Sequence, residues 1–282
     1  FMVFSIGFVS GFLVAGESMV ATYDESFEKY HIENGNFEYK EAASKETIQA
    51  IEAEGVKLYE NYFYEQTVEK DGKESTLRIF KNRTEVDKVC LMKGEMPADA
   101  DEIAIDRMYA VNNEINVGDT ISVDGIDYKV SGYVALSDYS ALFQSNSDMM
   151  FDSVLFGVAV VTDERFDSFD LDFMHMSYAW TYDEEPKDKK EEKEVSDDLA
   201  KVISQYGELE TFVPRYANQA INFTGDDMGS DTVMVETMLY ILIVIMGFIF
   251  AITINNTIVK EAGTIGTLRA SGYTRGELLR HY

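Results

Sequence analysis

The sequence predicts an α+β domain that lies between two membrane-spanning helices. Two long segments, residues 1–16 and 237–259, contain no charged residue at all. The 220 residues between them mix strand-like alternation with helix-like spacing, without a regular βαβ repeat. The charge of that middle part also differs in sign from the charge of the residues that follow the second apolar segment.

Composition already excludes several classes of protein. The chain has 282 residues, of which 51 are acidic and 24 basic, so its net charge is −27. A nucleic-acid binder needs clustered Lys and Arg, and a disordered acidic tail is far less apolar than the 46% found here. Cys90 is the single cysteine, which excludes an intramolecular disulfide and a four-cysteine zinc site.

The second apolar segment predicts a transmembrane helix over residues 231–260. Its 23 uncharged residues exceed the roughly 20 that a helix needs to cross a bilayer. The first segment predicts the outer part of a helix, residues 1–20, whose start is missing, because it lacks the basic region and cleavage site of a signal peptide. Its small residues favour packing against another helix, and a lipid-facing helix is the alternative. They are Gly7, Ser10, Gly11 and Gly16.

The charges predict the orientation of these helices. Residues 17–236 hold 49 acidic and 20 basic residues, a net charge of −29, whereas residues 260–282 hold two acidic and four basic residues. Lys and Arg close to a span mark the cytoplasmic side. We therefore expect a multi-pass protein of the cell membrane, with residues 17–236 extracytoplasmic and residues 260–282 cytoplasmic.

The sequence of the outer domain, residues 21–230, predicts a sheet with few helices. Its first third has a βαββ pattern, in which Ser44 caps the helix and residues 56–69 form one long strand. A small β-rich part is predicted at about residues 86–152. Further strands are expected at residues 36–40, 76–80, 89–92, 102–106, 117–123, 126–134, 155–161, 176–182 and 209–213, and helices at 108–112, after Thr162, and from the charged run 183–194 to Tyr206.

A search for catalytic chemistry is largely negative. The sequence has no P-loop, no G-x-G-x-x-G and no H-E-x-x-H motif. His31, His175 and His281 are isolated in sequence, and Cys90 lies in an apolar strand typical of a core residue. We therefore expect a non-catalytic membrane subunit that binds no metal or cofactor.

The residues after the second span carry the clearest pattern. They read KEAGTIGTLRASGYTRGELL, which predicts a helix end, a bend and a short amphipathic helix. The simplest interpretation is a basic helix that lies next to the membrane and binds anionic lipid. A net charge of +2 makes the attraction of this segment to anionic lipid weak. The pattern E-x-G-x-I-G-T-L-R-A-x-G-Y-x-R-x-E-L resembles the segment after the second transmembrane helix of FtsX-like (MacB-type) ABC transporter permeases.

The middle of the outer domain has a matching resemblance. The patterns G-E-M-P-x-x-x-x-E-I-A-I-D, V-G-D-T-I and Y-K-V-S-G-Y-V are similar to the extracytoplasmic domain of the same permeases. The family resemblance implies an α/β part with a smaller β-rich part inserted in it. It also implies at least four transmembrane helices, so this chain is expected to be a fragment that starts within the first helix and stops before the third.

The resemblance further implies a role and partners. Within residues 261–282, called the coupling segment below, the part from Glu261 to Gly272 would dock on a separate cytoplasmic ABC ATPase. ATP-driven dimerisation of that ATPase would move the helices and the outer domain together. The coupling residues implied by the resemblance are Glu261, Gly263, Ile265, Gly266, Leu268, Arg269 and Gly272. Other partners would be the rest of the permease or a second copy of it.

Two other classes of protein remain as alternatives. A membrane-anchored extracytoplasmic sensor or ligand-binding protein has the same two-span layout, but its signalling helix would continue as a heptad-patterned coiled coil. An anchored hydrolase is disfavoured by the motif search. The acidic outer domain also suggests a cationic peptide or lipoprotein ligand, although solubility near an anionic surface is the favoured explanation of the charge.

Overall fold

The computed structural model describes residues 2–70 and 72–281 and divides into two compact units. One unit, called the domain unit, is Ala21–Asp227. The other, called the helical unit, consists of the residues up to Val20 and those from Met228 onward.

Two long helices have the length and composition of membrane spans. Helix α1 is Met2–Tyr30 and helix α6 is Gln219–Lys260. Among the described residues, Ile6–Tyr30 and Gln219–Lys260 are long and apolar enough to cross a membrane. Large apolar side chains of α6 such as Tyr240, Val244 and Phe248 are exposed, as expected of a surface that lipid covers.

Within the helical unit, one of the predicted small residues lies close to the other helix. A Cβ placed on Gly16 would be 3.8 Å from Thr232 Oγ1, whereas the same positions on Gly7 and Gly11 have open space around them. The hydroxyl of Ser10 donates to its own helix, at Ile6 O (2.6 Å). Of the four predicted small residues, Gly16 is therefore the one that the described contacts place close to the other helix.

The domain unit is built on a mixed sheet of 11 strands. The predicted α+β class is therefore confirmed. The strands are β1 (Gly35–Tyr39), β2 (Val56–Glu60), β3 (Phe63–Lys70), β4 (Lys73–Lys81), β5 (Val89–Gly94), β6 (Glu102–Asp106), β7 (Thr120–Val123), β8 (Ile126–Leu136), β9 (Phe156–Val161), β10 (Met174–Tyr182) and β11 (Leu209–Pro214). Their order is β11-β1-β10-β3-β4-β9-β6-β8-β5, with β2 paired to β10 and β7 paired to β3 and β8.

Four short helices flank this sheet, and two more follow α6. In the domain unit they are α2 (Lys45–Glu52), α3 (Arg107–Asn112), α4 (Asp163–Phe166) and α5 (Lys189–Tyr206). Ser44 and Thr162 cap α2 and α4, as predicted, by accepting from Thr47 N and Arg165 N. After α6 come α7 (Ala262–Ala270) and α8 (Arg275–His281).

Two hydrophobic clusters hold the domain unit together. The larger one joins β3, β4, β6, β8 and β9 with α3 and α4. Every residue of β9 is buried, which is typical of a strand covered on both faces. The smaller cluster packs β1, β2 and β10 against α2 and α5, with Trp180 fully buried between Phe37 and Phe212.

The prediction of one long strand over residues 56–69 is wrong. Strand β2 ends at Glu60 and β3 begins at Phe63, with a break between them. Strand β2 pairs with β10, where Tyr178 lies opposite Glu60. Strand β3 keeps two pairs with β10, at Phe63 and Tyr64, and pairs along its length with β4, a new partner. Asn61 lies at the break, where its backbone N–H donates to Ser177 O (2.9 Å).

The expectation that Cys90 is a core residue is also wrong. Strand β5 lies at the end of the sheet, and Cys90 is only partly buried there. Its sulfur accepts a hydrogen bond from the Tyr30 hydroxyl (3.2 Å). An apolar run does not distinguish an edge strand from a central one, which explains the error.

Candidate functional site

The coupling segment begins with a small break in the helix. Glu261 separates α6 from α7 with φ −97° and ψ 8°. Its N–H donates to Thr257 O (3.0 Å), and its carbonyl accepts from Ile265 N (2.9 Å). Backbone hydrogen bonding therefore continues across the break, so α7 is supported by the end of α6.

Helix α7 ends in a Schellman motif at Gly272. The N–H of Tyr273 donates to Leu268 O (3.2 Å) and the N–H of Gly272 to Arg269 O (3.1 Å). Gly272 has φ +101°, a conformation that a side chain would strain. Sequence reasoning placed a turn here, and the positive φ explains why the position carries glycine.

A capping box starts α8 directly after this turn. The N–H and hydroxyl of Thr274 donate to Glu277 Oε2 (both 2.8 Å), and Glu277 N donates back to Thr274 Oγ1 (3.3 Å). The bond from the Thr274 N–H lowers the pKa of Glu277. The T-x-x-E spacing is visible in the sequence and signals this helix start.

The predicted coupling residues fall on different parts of α7. Ile265 and Leu268 are partly buried, whereas Arg269 is exposed. A Cβ on Gly263 or Gly266 would meet nothing within 4 Å. The segment thus presents an apolar pair, a cation and two open glycine positions on one short helix.

The domain unit contains a cavity of about 410 Å³ that the sequence did not predict. Amide and hydroxyl side chains line it beside four aromatic rings, a mixture typical of small polar ligands. Its lining residues come from β1, β3, β4, β10, β11 and the two polar segments that follow β8 and β11. They include Asn36, Glu38, Asn61, Phe63, Arg78, Phe80, Asp138, Tyr139, Phe143, Ser177, Thr211 and Asn218.

Arg78 forms one wall of this cavity. Its guanidinium lies 4.3 Å from the centre of the Phe63 ring and donates to Tyr139 Oη (2.7 Å) and Glu65 Oε1 (2.5 Å from Nη2). These partners hold the side chain rigid and compensate its charge.

Glu38 and His175 form a hydrogen-bonded pair beside it. Glu38 Oε1 lies 2.5 Å from His175 Nδ1, and this hydrogen bond raises the pKa of His175. The His175 ring stacks on Phe63, with the two ring centres 4.4 Å apart. The sequence suggested that His175 is isolated, and this is wrong. The order of the strands places β1 beside β10 and so brings Glu38 next to His175.

The other two histidines of the sequence are His31 and His281. His31 Nδ1 lies 2.6 Å from Glu85 O, while the side chain of His281 falls outside the described residues. Within residues 2–70 and 72–281, His, Cys, Asp and Glu side chains form no group of three that could hold a metal ion.

Comparison with known proteins gives structural neighbours only. No protein-family model and no curated protein matches the chain. Among solved structures, it is similar to the extracellular domain of the noncanonic ABC-type transporter YknZ from Gram-positive bacteria, at 12% identity and a TM-score of 0.36. That match covers 62% of this chain and 100% of the other.

Two further solved structures are similar to it. The periplasmic region of MacB from Actinobacillus actinomycetemcomitans matches at 10% identity and a TM-score of 0.38, over 68% of this chain and 92% of that one. A putative lipoprotein from Bacillus anthracis matches at 14% identity and a TM-score of 0.30, over 64% and 96%.

Proposed function

We propose that the chain is part of an FtsX-like (MacB-type) ABC transporter permease, and that it transmits ATP-driven motion from a cytoplasmic ATPase to an extracytoplasmic domain. The observation that carries the proposal is the coupling segment. Its family-like pattern folds as a short helix that continues from a candidate span and stops at a glycine turn.

The geometry of α7 suits a docking element. Ile265 and Leu268 supply apolar area for a partner groove, and Arg269 supplies a charge that fixes orientation. Gly263 and Gly266 leave room for a partner backbone to approach closely. Glu261 and Gly272 set the two ends of the helix, so the proposed docking element has a defined length.

The proposed topology follows from charge. Residues 17–236 would lie outside the cell, residues 260–282 in the cytoplasm, and the remaining permease helices would come from elsewhere in the same protein or from a second copy. ATP hydrolysis would take place in the separate subunit. The proposed boundaries of the outer domain are residues 21–230, with the β-rich part at about 86–152.

A cationic peptide or lipoprotein is the ligand class proposed for the outer domain. The net charge of −29 on residues 17–236 would raise the encounter rate with a cation. Association of a cationic peptide with the full-length protein should then weaken as salt rises from 50 to 500 mM. Binding that is insensitive to salt would remove the electrostatic argument.

The coupling segment is less suited to a sensor. A signalling relay needs a continuous helix with a heptad pattern, whereas α7 stops after nine residues and the chain turns at Gly272. This observation favours the permease over the membrane-anchored sensor.

The test uses full-length permease purified from membranes together with its ATPase. Arg269→Glu should reduce the amount of bound ATPase at least tenfold. The proposed partner surface is complementary to the positive charge of Arg269, so it would repel a glutamate there. Arg275→Glu is the matched control: it changes the net charge of the cytoplasmic segment equally but lies outside Glu261–Gly272. Equal ATPase recovery with both variants would refute the coupling assignment.

A further inference from the structure

Three carboxyl groups and one guanidinium meet inside the domain unit, close to the end of α1. They belong to Glu33, Arg83, Asp87 and Asp138, which we call the acid clasp. All four residues are less than 10% exposed, and Asp87 is fully buried. The four come from three separate loops: the exit of α1, the β4–β5 loop and the loop after β8.

One of the three acids is neutralised by a direct ion pair. Arg83 binds Asp138 through two bonds, Nη1–Oδ2 at 2.8 Å and Nη2–Oδ1 at 2.5 Å, and its guanidinium lies 4.6 Å from the centre of the Phe80 ring. Asn61 Oδ1 accepts a further bond from Arg83 Nη1 (3.1 Å). The acid clasp therefore contains one cation, Arg83, and three buried carboxyl groups.

The other two acids face each other without a cation of their own. Glu33 Oε2 and Asp87 Oδ2 are buried, and neither has a hydrogen-bond partner. Two ionised carboxylates in such a place repel each other and have lost their water. A proton held between the two carboxyl groups gives each of these oxygens a partner and removes one charge.

The same two residues fasten the end of α1. Asp87 Oδ1 accepts from the backbone N–H of Glu33 (2.9 Å), and the N–H of Asp87 donates to His31 O (3.0 Å). Lys88 N donates to Tyr30 O (2.9 Å). His31 and Asp87 both have positive φ, 52° and 45°, so the contact holds two strained backbones in place.

We propose that the acid clasp is a pH-responsive fastening of α1: it holds the α1 exit against the β4–β5 loop while Glu33 and Asp87 share a proton, and it opens when that proton is lost. Because α1 is one helix from Met2 to Tyr30, opening would free the outer end of a candidate span. The proposal does not depend on the proposed transporter function.

Burial and the neighbouring carboxylates favour the protonated form of both acids. Burial raises the pKa of Asp87 to about 7, and Asp138 adds to the effect, while Arg83 opposes it. Burial also raises the pKa of Glu33, with Asp87 and Asp138 as further causes, while Asn36, whose amide donates to Glu33 Oε1 (2.5 Å), opposes it. The Tyr139 phenol faces Asp138 and Arg83.

The direction of the pH effect follows from these shifts. Both acids bind a proton more tightly in the closed form than in an open, hydrated one. The closed form is therefore fully favoured at low pH and loses that advantage as pH rises through the raised pKa values. Opening that releases at least one proton becomes about tenfold more favourable for each pH unit between pH 5 and pH 7.

Hydrogen exchange of the full chain in lipid nanodiscs tests this. The amides to follow are those of Glu33, Asp87 and Lys88, with rates corrected for the intrinsic effect of pH. Their protection should fall at least about tenfold per pH unit from pH 5 to pH 7. Protection of the α7 amides, Ala262–Ala270, which lie in the helical unit and can open without the acid clasp, should stay constant.

Variants distinguish the acid pair from a general effect of pH. Glu33→Gln with Asp87→Asn should give protection that no longer depends on pH, while Glu192→Gln, a partly buried acid elsewhere in the domain unit, should keep the wild-type slope. A wild-type protein without the slope, or a double variant that retains it, overturns the proposal. If the double variant does not fold, the wild-type profile and the single variant Asp87→Asn, which should reduce the slope, decide the question.

Discussion

The domain unit and the coupling segment hold their shapes in different ways. Strand β4 pairs in parallel with β9, so that Thr76 lies beside Phe156, 80 residues further along the chain. The hydrogen bonds given above for the coupling segment instead join residues no more than five positions apart. The domain unit therefore depends on its core, whereas the coupling segment depends on local caps and leaves most of its side chains exposed.

The largest expected effect lies in the core of the domain unit. Trp180→Ala should lower the free energy of unfolding by about 3–5 kcal/mol, because the indole is fully buried and stacks on Phe212 with ring centres 4.9 Å apart. Urea unfolding of the full chain, followed by circular dichroism, measures it.

The matched control for this core variant is Tyr206→Ala. Tyr206 is an exposed aromatic residue at the end of α5, so its removal should change the free energy of unfolding by less than about 0.5 kcal/mol. Similar losses for both variants would mean that the smaller cluster does not stabilise the domain unit as described.

An intermediate effect is expected at the glycine turn of the coupling segment. Gly272→Ala should strain the Schellman turn by about 1–3 kcal/mol, since φ is +101° there. Binding of the full permease to its ATPase should weaken about tenfold, while unfolding of the domain unit stays unchanged.

Gly276→Ala provides the comparison for that turn. Gly276 lies within α8 with open space around it, so alanine should raise helix stability by about 1 kcal/mol and leave ATPase binding intact. If both alanine variants bind like the wild type, the Gly272 turn has no part in docking.

The sequence predicted the local features well and the non-local ones poorly. Caps such as Ser44 and the glycine stop at Gly272 depend on residues within one turn, so their signals are readable. The break at Asn61, the pairing of Glu38 with His175 and the acid clasp depend on strand order. Glu33 and Asp87 are 54 positions apart, and no periodicity connects them.

A smaller effect is expected at one cap of the domain unit. Ser44→Ala removes the acceptor for Thr47 N (3.1 Å) and should cost about 1 kcal/mol. Ser44→Asp should restore stability, because aspartate caps a helix equally well. An alanine variant as stable as the wild type in urea unfolding would show that the cap contributes nothing.

The smallest effect concerns the cavity. The pKa of His175 is raised by Glu38, so the stability of the pair is present at low pH and is lost as pH rises through the raised pKa. The difference in melting temperature between wild type and His175→Gln should be larger at pH 6 than at pH 8. Glu38→Gln should also lower the melting temperature more at pH 6 than at pH 8. An equal difference in melting temperature at both pH values would contradict the pairing of Glu38 with His175.

We expect α7 to contact a cytoplasmic ATPase while the domain unit lies outside the cell. Crosslinking from single cysteines at Thr267→Cys and Tyr206→Cys tests this, in the full-length permease with Cys90→Ser, in membranes that contain the ATPase. Thr267 is exposed on α7 and is not one of the proposed coupling residues. A crosslink to the ATPase is expected from position 267 and none from position 206. No crosslink from 267, or one from 206, would contradict the proposal.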